Sequence, residues 1–133
     1  MHYCTDTWFL LKLFKGDTKA LEILENVKNT KDRLMVPIVS YSEFIKKLWQ
    51  GGINEKKIDE FLETVDSSKN IIISSPTREI AREAAKVSLS YSLSLLDAFI
   101  AATSKISKCD LLLTADSDFR PLIKNKYVKV KSW

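Results

Sequence analysis

The sequence predicts an α/β fold, with a mostly parallel central sheet flanked by helices on both faces. Three observations carry that expectation. Short apolar runs rich in β-branched residues alternate with helix-periodic stretches along the whole chain, an order that favours parallel strands joined by crossover helices. Only three glycines and three prolines occur in 133 residues, so the elements are long and the loops short. No repeat, low-complexity tract or linker interrupts the pattern, and residues 1–133 are expected to form one domain.

The elements follow in order. "MHYCT" (1–5) is a short first strand. "TWFLLKLF" (7–14) is apolar at nearly every position, and a short helix of that kind cannot bury every face against one sheet. Part of it is therefore expected to be exposed in a monomer and covered by a partner chain. "DTKALEILENVK" (17–28) has Asp17 as N-cap and apolar residues at 20, 21, 23, 24 and 27, which is helical spacing. "LMVPIV" (34–39) is a buried strand that Pro37 should end or confine to an edge. "SYSEFIKKLWQGG" (40–52) is a helix with Tyr41, Phe44, Ile45, Leu48 and Trp49 on one stripe, stopped by Gly51 and Gly52. "KKIDEFLETV" (56–65) repeats the stripe with Ile58, Phe61, Leu62 and Val65. "NIIISS" (70–75) is a strand, Pro76 opens a helix over 77–90, and "SLLDAFIAATSKIS" (94–107) is another helix. "DLLLT" (110–114) is a strand followed by a short helix, and the alternation in "YVKVKSW" (127–133) predicts an edge strand.

Composition narrows the function classes. Hydrophobic residues at 45% support a substantial core, and charged residues at 29% fit a globular chain rather than a disordered one. No apolar run approaches the roughly 18 residues that cross a bilayer. The first residues lack a secretory pattern, so no membrane association and a cytoplasmic location are expected. Cys4 and Cys109 form no CxxC pair and His2 is the only histidine, which argues against zinc. Both cysteines read as small buried hydrophobes. A mild excess of 21 Lys+Arg over 17 Asp+Glu is compatible with a polyanionic partner.

The acids carry the chemistry. In open α/β sheets, sites form beyond the carboxyl ends of the strands. Asp6 follows the first strand and Asp116 follows "DLLLTA". Glu43 is placed in the first turn of the helix after the second strand, and Asp97 in the first turn of the helix before "DLLLT". Four acids can converge there, with Asp118 as a fifth. Each alone has a structural explanation: Ser40-x-x-Glu43 and Ser94-x-x-Asp97 match the capping box, Asp6 and Asp116 can cap helices, and Asp118 suits a helix dipole. Capping does not explain four of them on one sheet edge. Clustered carboxylates repel and raise one another's pKa, and a cation relieves the repulsion. Oxygen ligands without His or Cys favour a hard ion, Mg²⁺ or Mn²⁺.

The motifs "DT" (6–7), "SYSEF" (40–44), "LLDAFIAATS" (95–104) and "LLLTADSDF" (111–119), in this order and spacing, resemble those of PIN-domain nucleases, most closely the VapC-type toxins of type II toxin–antitoxin systems. The resemblance implies a PIN-like fold. It places catalytic acids on Asp6, Glu43, Asp97 and Asp116, and metal contacts on Asp6, Asp97, Asp116 and Asp118. Thr114 matches a polar residue at the end of the fourth strand. Trp8 stands where the family often has Asn.

The implied activity is metal-dependent endoribonucleolytic hydrolysis of RNA phosphodiesters, with Mg²⁺ or Mn²⁺ as cofactor, one ion or two. The implied partners are RNA, a cognate antitoxin protein and a second copy of the chain in a homodimer. Lys12, Lys46, Lys47, Arg82, Lys86 and Arg120 are candidate cations around the rim. Other readings are an RNA-processing PIN nuclease without an antitoxin and a non-catalytic PIN scaffold that binds RNA or protein. A nucleotidase-like aspartyl-phosphate enzyme would want a second Asp two residues after Asp6, where Trp8 stands.

Overall fold

In the computed structural model, which describes residues 1–133, the strands are His2–Thr5 (β1), Arg33–Pro37 (β2), Ile71–Ser74 (β3), Leu111–Leu113 (β4) and Val130–Lys131 (β5). They form one sheet in the order β3-β2-β1-β4-β5, and every neighbouring pair is parallel. The helices are Thr7–Phe14 (α1), Thr18–Asn29 (α2), Ile38–Gln50 (α3), Glu55–Asp66 (α4), Arg78–Tyr91 (α5), Leu95–Ile106 (α6) and Arg120–Lys124 (α7). A single 3₁₀ turn, Ser117–Phe119, precedes α7. The chain builds outward from β1 to β2 and β3, then returns to the other side of β1 for β4 and β5. The strand order therefore reverses between β1 and β4, the kind of switch point at which open parallel sheets leave a crevice beyond the strand ends.

Strand alternation divides the apolar residues between two cores. Tyr3, Leu34, Val36, Ile71 and Leu113 pack with α1 to α4, around Phe9, Leu10, Leu24, Phe44 and Ile58. Cys4 and Leu112 face the other way, against Ile80, Ala84 and Val87 of α5, Ala98 and Ile100 of α6, and Phe119 and Leu122. Helices thus cover both faces, as the α/β pattern predicts. None is long and apolar enough to cross a membrane.

Several local expectations change. The run 34–39 is strand only as far as Pro37, which has φ −58° and ψ 135° and acts as the N-cap of α3. Proline lacks an N–H and has a fixed φ, so it ends the strand and opens the helix directly. Helix α3 therefore begins two residues before Ser40, Glu43 lies in its second turn, and no Ser40–Glu43 capping box forms. Ser40 Oγ instead donates to the Thr5 carbonyl oxygen at 3.1 Å. Thr77, not Pro76, caps α5 by accepting from the Ile80 amide. Only Val130 and Lys131 of the 127–133 segment pair with β4, because Tyr127 and Val128 turn into the second core. Trp49 leaves its stripe and is 57% exposed. Cys109 is half-buried rather than core, whereas Cys4 is fully buried.

Helix α1 finds more cover within the chain than its apolar circumference suggests. Phe9, Leu10 and Leu13 are buried, and Trp8, Leu11 and Phe14 pack against the first core. Trp133 from the chain's end lies 4.9 Å from the Trp8 ring and 6.1 Å from Phe9, and its indole N–H donates to Asp17. Phe14 meets Phe44 and Phe61 edge-on. Most of the segment is covered by its own chain, while Trp8, Leu11 and Phe14 remain only half-buried.

Candidate active site

The five carboxylates gather at the β1–β4 switch point from four chain segments, Asp116 and Asp118 sharing the turn after β4. Asp6, the residue after β1, caps α1: its Oδ1 accepts from the Trp8 amide at 2.8 Å. Its Oδ2 accepts from Thr114 Oγ1 at the end of β4. Thr114 Oγ1 in turn accepts from the Asp116 amide at 3.0 Å, so one buried hydroxyl joins the buried acid to the exposed ones. Asp116 caps the 3₁₀ turn, its Oδ1 accepting from the Asp118 amide at 2.9 Å. Asp97 is held at the start of α6, where Ser94 Oγ accepts from its amide at 3.2 Å. Glu43 reaches the site from the second turn of α3, and its Oε1 accepts from Thr7 Oγ1 at 2.6 Å.

Capping and clustering coexist, as the sequence allows: Asp6 and Asp116 do cap, and they stand together. Asp97, Asp116 and Asp118 each offer a carboxylate oxygen within 4.8 Å of the other two. Asp6 is not in that close trio, and each of its oxygens accepts a hydrogen bond within the fold. The field connects all five acids nonetheless. Burial pushes the Asp97 carboxyl above its ordinary range, and the charges of Asp116, Asp118 and Glu43 push it further. Burial raises Asp6 to about 7, with the Asp116 charge adding to it and hydrogen bonds from Thr114, Phe9 and Trp8 opposing it. Thr7 belongs to the "DT" motif, but nothing in the sequence signals that its hydroxyl fixes Glu43, 36 residues away.

The donor set suits a hard divalent cation. It consists of carboxylate oxygens with hydroxyls beside them and no sulfur or imidazole, which excludes a soft ion. Three oxygens that share one ion must lie closer together than their 4.8 Å limit, and Asp116 and Asp118 are exposed, so their side chains have room to rotate inward onto it. Two concavities flank the acids. One is lined by Val39, Ser42, Glu43, Lys46 and Leu96, and the other runs from Ser94 and Asp118 to Tyr91 and Pro121. Of the candidate rim cations, Lys46 borders the first, while Lys12 lies 3.8 Å from Asp17.

The raised Asp6 pKa gives a testable stability change. A carboxyl at about 7 in the folded chain and about 3.9 unfolded holds its proton longer when folded. Its stabilising contribution is complete below pH ~3.9 and is lost as pH rises through 7. Asp6→Asn removes the buried charge while keeping the shape. Without added metal it is expected to be more stable than wild type at pH 8, by about 1–2 kcal/mol, with the advantage shrinking as pH falls toward 4. Urea melts at the two pH values measure it, and an Asp6→Asn protein less stable than wild type at pH 8 would refute the burial argument.

The PIN domain family model matches residues 3–124. No curated protein matches the sequence significantly. Among solved structures, VapBC2 from Rickettsia felis, bound to a DNA fragment from its promoter, is similar with a TM-score of 0.76 and 14% identity over 100% of this chain and 99% of that one. VapBC-1 from nontypeable Haemophilus influenzae has a TM-score of 0.73 and 21% identity over 100% and 98%. VapC20 of Mycobacterium tuberculosis, a sarcin–ricin loop cleaving toxin, has a TM-score of 0.69 and 16% identity over 90% and 93%.

Proposed function

Because the chain belongs to the PIN-domain family, we propose that it is a metal-dependent endoribonuclease, the toxin of a toxin–antitoxin pair, using the carboxylate cluster at the β1–β4 switch point. The observation that carries this reading is the trio Asp97, Asp116 and Asp118, drawn within 4.8 Å from two separate segments. Structural apposition of like charges is unfavourable by itself, so the arrangement calls for a counter-charge.

In this reading Asp97, Asp116 and Asp118 hold Mg²⁺ or Mn²⁺. Asp6 orients Thr114 and through it the Asp116 loop. When bound, such an ion lowers the pKa of its water and offsets charge on the phosphoryl oxygens. Glu43, anchored through Oε1 alone, or Asp116 accepts the proton of the attacking water. The Thr7 hydroxyl fixes the rotamer of Glu43 for that role.

Support for an antitoxin partner comes from the VapBC assemblies among the structural neighbours, and for RNA as substrate from the sarcin–ricin loop cleaving toxin. A homodimer belongs to the same reading; light scattering on the purified chain that returned a monomer mass at all concentrations would remove it. The activity itself is tested by incubating the purified protein with structured and single-stranded RNA in Mg²⁺, in Mn²⁺ and in EDTA. Internal cleavage is expected with either ion and none in EDTA. Cleavage that persists in EDTA, or RNA left intact under all conditions, would sink the nuclease reading.

A further inference from the structure

At the opposite edge of the sheet from the carboxylates, where β4 and β5 begin, a concavity of about 560 Å³ is lined by Lys105, Lys108, Lys126 and Lys129. None of these lysines is in an ion pair; the chain's two pairs are Met1–Asp32 and Lys12–Asp17. The one carboxylate in the lining, Asp110, accepts from the His2 amide at 2.8 Å. Lys108 and Lys126 follow the ends of α6 and α7 with φ of 56° and 57°. That is the left-handed region, which glycine occupies without strain and lysine does not. The chain thus twice keeps a cation at a strained helix end on the rim of one pocket. A lysine near a helix C-terminus complements the dipole, which accounts for Lys105, Lys108 and Lys126 singly. It accounts neither for Lys129, which leads into β5, nor for their convergence.

The pocket is linked to the carboxylates. Helix α6 carries Asp97 at one end and Lys105 at the other, eight residues or about 12 Å apart. Tyr91 shares its concavity with Asp118, Tyr127 lines the lysine pocket, and the two rings lie 6.2 Å apart. Lys105 Nζ lies 5.1 Å from the Tyr127 ring centroid. Cations interleaved with aromatic rings along one path are what a single-stranded nucleic acid needs: charge for its phosphates and flat faces for its bases.

We propose that the RNA strand cut at the carboxylate site continues past Tyr91 and Tyr127 and seats its phosphates among Lys105, Lys108, Lys126 and Lys129. This rests on the nuclease reading for the identity of the polyanion and adds to it a second contact, one that holds the strand a few nucleotides from the cut. Positive charge there also offsets the repulsion that the acidic cluster exerts on an approaching polyanion.

The test is fluorescence anisotropy of a labelled single-stranded RNA of roughly ten nucleotides, in EDTA so that no cleavage occurs. For Lys105→Gln/Lys126→Gln/Lys129→Gln, affinity is expected to fall about tenfold or more. The slope of log affinity against log salt should flatten by about 2, the value for three lost phosphate contacts on a single strand. The triple arginine variant should restore binding, and Lys19→Gln, an exposed α2 lysine, should bind like wild type. Lys129→Glu at the exposed strand entry gives the same readout with one change, should the triple variant fold poorly. Unchanged affinity and slope in folded variants would overturn the groove. So would a wild type that binds no RNA, or a loss confined to a polyglutamate peptide, which would mark the pocket as a site for acidic protein. Outcomes separate the two readings: if cleavage proceeds with metal but the lysine variants bind normally, the nuclease stands and the groove falls. If the variants weaken binding and no cleavage occurs with any ion, the groove stands and the nuclease falls.

Discussion

Asp116→Asn is expected to lower RNA cleavage by on the order of 10² or more with little change in fold stability. The asparagine oxygen can still accept from the Asp118 amide and keep the 3₁₀ turn capped. What it removes is one negative charge from a trio of oxygens within 4.8 Å. The two remaining acids then offer a cation weaker attraction and one ligand fewer. Because the residue is exposed and its cap survives, a urea melt should move by no more than about 0.5 kcal/mol. The pairing of a large kinetic loss with a small stability change is the diagnostic. A variant that cleaves like wild type would remove Asp116 from the site, and one that unfolds would show that its role is structural.

Phe44→Ala should have the largest effect on stability, about 3–5 kcal/mol. Phe44 is fully buried, with ring centroids of Phe61 at 5.2 Å and Phe14 at 6.1 Å. Its removal leaves a cavity between α1, α3 and α4 that rigid neighbours cannot refill. Against a total stability of about 5–15 kcal/mol, that loss is a large fraction. Trp49→Ala, from the same apolar stripe but exposed, should cost no more than about 0.5 kcal/mol. Urea midpoints and slopes for the pair measure the contrast, and a Phe44→Ala loss below about 1 kcal/mol would contradict the packing described for the first core. Phe44 also follows Glu43, so the variant is expected to loosen the Thr7–Glu43 contact as it destabilises the core.

Periodicity made most elements legible because it records which face is buried. The residues of 17–28, 56–65 and 94–107 fall within a residue or two of the helices they predict. The acids were legible for a different reason: the strand-end position of Asp6 and Asp116 follows from the topology of a parallel sheet, without side-chain detail. What stayed hidden depends on distant partners. Ser40 and Glu43 have capping-box spacing, yet the choice of N-cap was made by Pro37, and the two side chains bond to Thr5 and Thr7 instead. The apolar circumference of α1 looked unpartnered because its cover includes Trp133, at the far end of the chain. The hydrogen bonds that tie Asp6 to Thr114 and Trp8 are likewise beyond what spacing reveals. The lysine pocket was missed because its members come from two chain turns about 20 residues apart, with nothing periodic in either.

The central claim, that the carboxylates are assembled to hold a hard divalent cation, is tested most directly by calorimetric titration of Mn²⁺ into the purified protein. Saturable binding is expected for wild type, weakened at least about tenfold in Asp97→Asn and in Asp116→Asn. Wild type that binds no Mn²⁺, or both variants binding it as tightly as wild type does, would show that these carboxylates are not a cation site.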